Sequence, residues 1–223
     1  MPGRVFAALA CRPRRACNTP GMTESALSVR VLSGDALIPH LDDVARLRMR
    51  VFRDWPYLYA GDPAYERAYM AAYARSPRSV FVLAFDGERV VGASTGLPLA
   101  DEDPGFHTPF VDQDLAVARV FYLGESVLLP DYRGRGIGHA FFDAREAHAR
   151  ALGGFDVTAF AAVDRADDDP RRPAAHRDNT AFWRKRGYVR QPGMSMLLRW
   201  DEVEVGDVLH PMTFWTRPLD AVE

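Results

Sequence analysis

One stretch constrains this chain more than any other: Phe121-Tyr122-Leu123-Gly124-Glu125-Ser126-Val127-Leu128-Leu129-Pro130-Asp131-Tyr132-Arg133-Gly134-Arg135-Gly136-Ile137-Gly138-His139. An apolar run ends at Pro130, a glycine-rich turn follows, and a helical pattern begins inside that turn. Glycines at 134, 136 and 138 remove side chains where the backbone must bend and approach a ligand closely. Free N–H groups at a helix start converge on one concavity, and helix polarity adds about half a positive charge there. Such a turn can form a diphosphate cradle, with Arg133 and Arg135 adding charge at its rim; simple loop closure is the other reading of three such glycines. The helix that follows is expected over Gly136 to Leu152, stopped by Gly153-Gly154. Ile137, Phe141, Ala144, His148 and Ala151 fall on one face. His139, Asp143, Glu146 and Arg150 fall on the other, the last two at ion-pair spacing. Two other phosphate motifs are excluded. There is no Gly-Lys-Ser/Thr, and His139 and Phe141 stand where a dinucleotide fingerprint requires glycine.

The elements around this unit follow from periodicity. Ser28 to Ser33 alternates as a strand, Asp35 to Arg53 has helical spacing, and Ser33 or Asp35 can cap it. An aromatic loop, residues 54–62, leads to a helix over Pro63 to Ala74 with proline in its first turn. Ser79 to Phe85, the turn Asp86-Gly87, and Arg89 to Leu99 predict a hairpin. Residues 101–114 are polar and Pro-rich, a loop with room for one helical turn. Strands are expected over Arg119 to Leu129 and Phe155 to Val163, then a charged loop over 164–178 and a short helix from Asn179 to Arg186. Closing strands are expected over Met194 to Trp200 and Met212 to Thr216. The order β, α, α, β, β, β, α, β, α, β, β contains one right-handed crossover, whose two strands are parallel. It implies an α/β layer with a mixed sheet.

Composition excludes some function classes. The formal net charge is −2, and Lys185 is the single lysine among 28 basic residues, with no dense basic cluster. Attraction to nucleic acid is not expected. The two cysteines, Cys11 and Cys17, make neither a disulfide framework nor a zinc site, so no metal is expected. A reducing, cytoplasmic setting suits a cysteine-free body, and no apolar run is long enough for a membrane. Residues 1–24 hold arginines and almost no acid. They read as a disordered extension ahead of a start at Met22, with a targeting segment as the alternative. Residues 25–223 read as one domain.

The central motif resembles the GNAT superfamily of N-acetyltransferases, whose signature is Arg/Gln-x-x-Gly-x-Gly/Ala after a strand ending in Val-x-Pro. Here Leu128-Leu129-Pro130 precedes Arg133-x-x-Gly136-x-Gly138. A second family element, a short helix ending in an aromatic and Gly-Phe/Tyr, is matched by Phe182-Trp183-Arg184-Lys185-Arg186-Gly187-Tyr188. The resemblance covers residues 25 to 219. It implies a mixed, mostly antiparallel twisted sheet with a splayed central parallel strand pair and helices on both faces.

The resemblance also implies acetyl-CoA as co-substrate, without a metal, and a small-molecule or peptide amine as acceptor. Dimers are common in the family, and oligomeric state stays open. The pantetheine arm would pair with amides of Ser126, Val127 and Leu128. The diphosphate would sit on amides from Arg133 through Gly134, Arg135, Gly136, Ile137 and Gly138 to His139, with Asn179 and Trp183 beside the cofactor. Glu125, mid-strand among apolar residues, is the expected general base, since burial disfavours a charged carboxylate; the other reading is a structural carboxylate paired with an arginine. The oxyanion would meet the N–H near Leu128. The usual tyrosine acid is replaced by Trp183, whose indole N–H is not a usable acid. Tyr188 or a water is left to protonate the thiolate. Acceptor contacts are expected from Tyr57, Tyr59 and Tyr122, with Trp55, Asp62 and the 101–107 insertion nearby, because aromatics and carboxylates suit an arriving cation. His107 and His176 are expected on the surface. The competing expectation is a fold relative that binds acyl-CoA without turnover.

Overall fold

The computed structural model describes residues 27–219, so the expectations for residues 1–24 lie outside the described residues. Seven strands form one sheet in the order β1-β2-β3-β4-β5-β7-β6. They are β1 (Leu27–Leu32), β2 (Val80–Asp86), β3 (Arg89–Pro98), β4 (Val120–Leu128), β5 (Val157–Val163), β6 (Val189–Glu202) and β7 (Gly206–Pro218). Every neighbouring pair is antiparallel except β4 and β5. Helices α1 (Leu41–Phe52) and α2 (Pro63–Arg75) cover one face, where Leu37, Val44, Leu47, Met70 and Tyr73 join Phe81, Leu83 and Phe85 in one core. Helix α4 (Ile137–Leu152) covers the other, packing Ile137, Phe141, Phe142 and Ala149 on Val80, Val82, Phe121 and Leu123. A single turn, α3 (Thr108–Val111), lies in the 101–114 loop, and α5 (Thr180–Lys185) precedes β6.

Three expectations change. The first helix is split. Residues Gly34–His40 form a 3-10 segment containing Pro39, and the α-helix starts only at Leu41. Proline has no N–H to give and restricts the residue before it, so one continuous helix cannot run through. Neither expected cap forms at its start, and Ser33 makes no side-chain cap bond.

The closing strands are far longer than expected and form a 14- and 13-residue hairpin. Pro192-Gly193 look like a break. A register shift between Arg190 and Ser195 absorbs them, as bulges accommodate proline.

The third change concerns α4. Glu146, assigned to the outer face, is 3 % exposed. Arg186 and Arg217 reach its Oε2 at 3.1 and 2.9 Å, and the Tyr188 hydroxyl donates to Oε1 at 3.1 Å. α5 and β7 close over that flank, which helical spacing within α4 does not reveal.

β4 and β5 pair only from Val120–Val157 to Tyr122–Ala159. Beyond this, β5 stays on β7 and β4 stays on β3, so the two strands part. Opposite β3, β4 takes an extra residue, the register shifting between Ser94–Ser126 and Gly96–Leu123. Such a bulge leaves ladder groups unpaired and re-aims side chains. Arg145, 1 % exposed, fills it. Its Nη1 donates to the Thr95 and Glu125 carbonyls at 3.1 and 3.2 Å, and its Nη2 to Ser126 Oγ at 2.9 Å. Burial draws this guanidinium down to about 10. Gly124 is required here, because a Cβ would lie 2.5 Å from Thr95 Oγ1 and 2.8 Å from the Tyr73 hydroxyl.

Removing the guanidinium strands two buried carbonyls. Arg145→Ala should therefore destabilise the fold by about 3 kcal/mol or more, read from urea unfolding, with Arg145→Lys losing less.

Candidate active site

The parting of β4 and β5 opens a cavity of about 1470 Å³. It runs from the glycine turn, past Ser126 and Leu128 on one side and Phe160 to Val163 on the other, to the aromatic loop and α2. Leu129 N–H donates to the Val91 carbonyl at 3.0 Å. Antiparallel pairing alternates, so the Val127 amide also turns to β3, while the Ser126 and Leu128 amides face the gap that β5 has vacated. The expectation of three consecutive amides is thus corrected to two. Val127 is fully buried in the core.

Gly134 and Gly136 have φ of 75° and 82°, a region that L-residues rarely adopt. A Cβ on either would meet no protein atom within 4 Å. Open space beside obligate glycines, with no side chain capping the start of α4, fits the close approach of an anionic group to backbone. Arg133, Gly138 and His139 also border the cavity. Arg135 turns back to the Asp131 carbonyl at 3.0 Å, and Ile137 is buried in the core. These two contribute backbone rather than side chain. Asn179 and Trp183 line the opposite wall. The Trp183 ring rests on Phe160 and Trp215, with centroids 5.0 and 5.2 Å apart.

Tyr188 is not brought to this cavity. Its hydroxyl, in a side chain 1 % exposed, bonds Glu146 and lies 2.9 Å from Thr158 Oγ1. Burial and then Glu146 push the phenol upward. The expectation of Tyr188 as proton donor is set aside on these grounds.

At the far end stand Glu125, Tyr57, Tyr59 and Tyr122, all bordering the cavity. Glu125 is 7 % exposed, and its Oε2 lies 2.6 Å from Arg48 Nη1. Arg48, on α1, also donates from Nε to Glu66 Oε2 at 2.5 Å. Sequence reasoning missed both Arg48 and Glu66. Each lies within an amphipathic helix, and nothing local says that Arg48 will be 8 % and Glu66 0 % exposed. Burial would lower Arg48, but Glu125, Tyr69 and Glu66 outweigh it and hold the guanidinium above its ordinary value. Burial also pushes Tyr57 up to about 12 and raises Tyr59, Tyr69 and Tyr122. These phenols are neutral hydrogen-bonding groups at ordinary pH.

Two loops close this end. Arg165 donates to the Pro56 and Tyr57 carbonyls at 2.6 and 3.0 Å, and Trp200 Nε1 to the Tyr57 carbonyl at 3.0 Å. Glu202, 3 % exposed, anchors both Arg165, at 2.8 Å, and Arg171. Asp62 caps α2 through Tyr65 N–H at 2.6 Å. Asp101 pairs with Arg78, so of the 101–107 insertion it is Phe106 that borders the cavity. The two histidines are partly buried rather than surface groups. His107 Nε2 lies 2.7 Å from the Leu99 carbonyl, and His176 stands edge-on to Trp55.

Residues 42–188 match the Acetyltransferase (GNAT) family. No curated protein matches the chain. Among solved structures, N-acetyltransferase from Staphylococcus aureus Mu50 aligns with TM-score 0.57 at 12 % identity, covering 88 % of this chain and 100 % of its own. The protein yncA from Salmonella typhimurium, solved with its cofactor acetyl-CoA, aligns with TM-score 0.54 at 13 % identity, covering 87 % and 95 %. The ribosomal-protein-S18-alanine N-acetyltransferase from Escherichia coli aligns with TM-score 0.53 at 12 % identity, covering 89 % and 97 %. At these identities the likeness is one of fold.

Two outcomes follow from the site. Gly136→Val places a β-branched side chain at positive φ and in the open cradle. Calorimetry should show acetyl-CoA affinity falling by about 100-fold or more, while the melting temperature drops by only a few degrees. Separately, burial, then Glu125 and Asp103, push Glu102 up to about 8 from an ordinary 4.5. Between those values the folded state binds more protons than the unfolded one, so stability should fall as pH rises from about 5 to 8. Melting temperatures of Glu102→Gln should be flatter across that range than those of the parent.

Proposed function

The chain belongs to the acetyltransferase (GNAT) family, and from that premise we propose that it transfers an acetyl group from acetyl-CoA to a primary amine, with Glu125 as general base. The observation that carries the reading is the continuity of one cavity from the Gly134–Gly136 cradle, along the exposed edge of β4, to the Glu125 carboxylate.

Acetyl-CoA, when bound, supplies an acyl thioester whose thiol, with pKa about 8.5, leaves readily as the thiolate. The residues that would hold it are the amides of Ser126 and Leu128 and the turn from Arg133 to His139, with Asn179 and Trp183 on the far wall. Because a protonated amine has no lone pair, the acceptor must give up a proton before its nitrogen bonds to the acyl carbon. Glu125 borders the cavity, and its Oε1 is buried without a hydrogen-bond partner. That oxygen is placed to take the proton, directly or through one water. Arg48, on the other oxygen, fixes the carboxylate's orientation. The Leu128 N–H, turned into the gap, suits an acyl oxygen that gains negative charge. As the new C–N bond forms, the C–S bond breaks and its electron pair leaves on sulfur. Trp183 offers an indole at the usual position of the acid and Tyr188 is sealed under α4, so solvent protonates the sulfur in this reading.

Trp183 at the usual acid position, with Tyr188 withdrawn, also suits a second reading, a sensor that binds acyl-CoA without turnover. Glu125→Gln separates the two. On the enzymatic reading it leaves acetyl-CoA affinity within about threefold and lowers turnover by about 100-fold or more at neutral pH, partly recovered at higher pH. Release of free thiol across an amine library reads the rate. An unchanged pH–rate profile removes Glu125 as base, and cofactor binding without turnover on any amine favours the sensor.

A further inference from the structure

The end of the cavity beyond Glu125 has an uneven charge balance. One guanidinium, Arg48, faces two carboxylates, Glu66 on α2 and Glu125 on β4, at 2.5 and 2.6 Å. Each carboxylate spends one oxygen on Arg48. Glu125 Oε1 is buried without a hydrogen-bond partner, Glu66 Oε1 is equally buried with the Tyr59 hydroxyl bonded to that carboxylate, and both residues border the cavity. A buried carboxylate oxygen without a donor is costly. Two buried carboxylates that share one cation beside one pocket mark a place for a group that brings N–H donors and positive charge.

The surrounding walls are aromatic: Phe52, Tyr57, Tyr59, Tyr69, Phe106 and Tyr122. Their phenols are held neutral, as described above. Ring faces and neutral hydroxyls suit an ammonium on an apolar body. They carry no positive charge to balance an anion.

Three arginines near Glu125 are already committed. The Arg48 guanidinium lies over the Tyr69 and Phe52 rings at 4.7 and 5.1 Å, besides holding its two carboxylates. Arg165 is bound to Glu202 and to the carbonyls of Pro56 and Tyr57. Arg145 is spent inside the bulge. A carboxylate on the acceptor would therefore enter beside Glu66 and Glu125 with no unspent guanidinium among these three, and like charges at close range are repelled.

We infer that the acceptor is an alkyl or arylalkyl primary amine that carries no carboxylate, its ammonium received between Glu66 Oε1 and Glu125 Oε1. Glu66 is the specificity residue of this pair, and Glu125 takes the proton. The inference rests on the reading that this cavity receives an acceptor amine, and it narrows that reading by excluding free amino acids as good acceptors.

The test uses matched pairs that differ by one carboxylate, phenethylamine against L-phenylalanine and cadaverine against L-lysine. Binding to the full-length protein with CoA present is measured by calorimetry, and turnover by free-thiol release with acetyl-CoA. The amine of at least one pair should bind at least about tenfold more tightly than its amino acid. In Glu66→Gln that preference should shrink severalfold, with KM for the amine rising more than kcat falls. Equal or tighter binding of both amino acids, or no binding of any of the four compounds, overturns the inference. An unchanged preference in a folded Glu66→Gln overturns the role of Glu66. Amine-selective binding without turnover upholds the inference and instead removes the catalytic reading of Glu125. The wild-type comparison does not depend on how well the variant folds.

Discussion

The structure depends on how an interior sheet edge is satisfied where β4 leaves β5. A strand in the middle of a sheet that loses its neighbour exposes N–H and C=O groups inside the protein, and such groups must find partners. Here the two strands share only three residue pairs before they part. The bulge in β4 frees further carbonyls, and Arg145 from α4 supplies donors to them at 3.1 and 3.2 Å. Arg133 reaches the Leu128 carbonyl at 3.3 Å. The amides of Ser126 and Leu128 remain on the open side. One gap thus creates the groove, bends the strand to aim Glu125 and leaves the backbone donors that a ligand would use.

A second consequence of the gap is electrostatic. Glu125 is carried into the interior on the re-aimed strand and needs a cation. Arg48 from α1 provides it and is shared with Glu66 from α2. Three elements distant in sequence meet in one buried charge group. Removing one member would leave an uncompensated charge, which is why such groups are costly to break. The same group, two carboxylates on one guanidinium, leaves this end of the cavity with an excess of negative charge. The loops that enclose it are held by a separate cluster centred on Glu202, whose arginines come from the 164–178 loop.

On the proposed function, the protein divides its work along one cavity. At the glycine turn, backbone geometry acts, because positive φ and missing Cβ atoms let main chain meet an anion. At the Glu125 end, side chains act, because selectivity among amines needs charge and shape. A polypeptide can keep the first end nearly invariant in form while the second end changes with loops and helix residues.

That division also decides what could be read in advance. The amino-acid sequence determined the order of elements, the crossover and the glycine turn. Gly134, Gly136, Gly138 and the helix behind them are adjacent in the chain, and local geometry is set by neighbouring residues. It also placed Glu125 mid-strand and Trp183 where an acid is usual. Tertiary structure alone decided the rest. The long β6–β7 hairpin forms because pairing partners absorb Pro192 and Gly193 in a bulge. Tyr188 is withdrawn from the cavity because Glu146 and Thr158 hold its hydroxyl under α4. Arg48, Glu66 and Arg145 act only through partners from other elements, and spacing along one helix carries no record of what lies across the sheet. The glycine turn was legible because its residues are consecutive in the chain. The charge group at Glu125 was not, because its members become neighbours only when the chain folds.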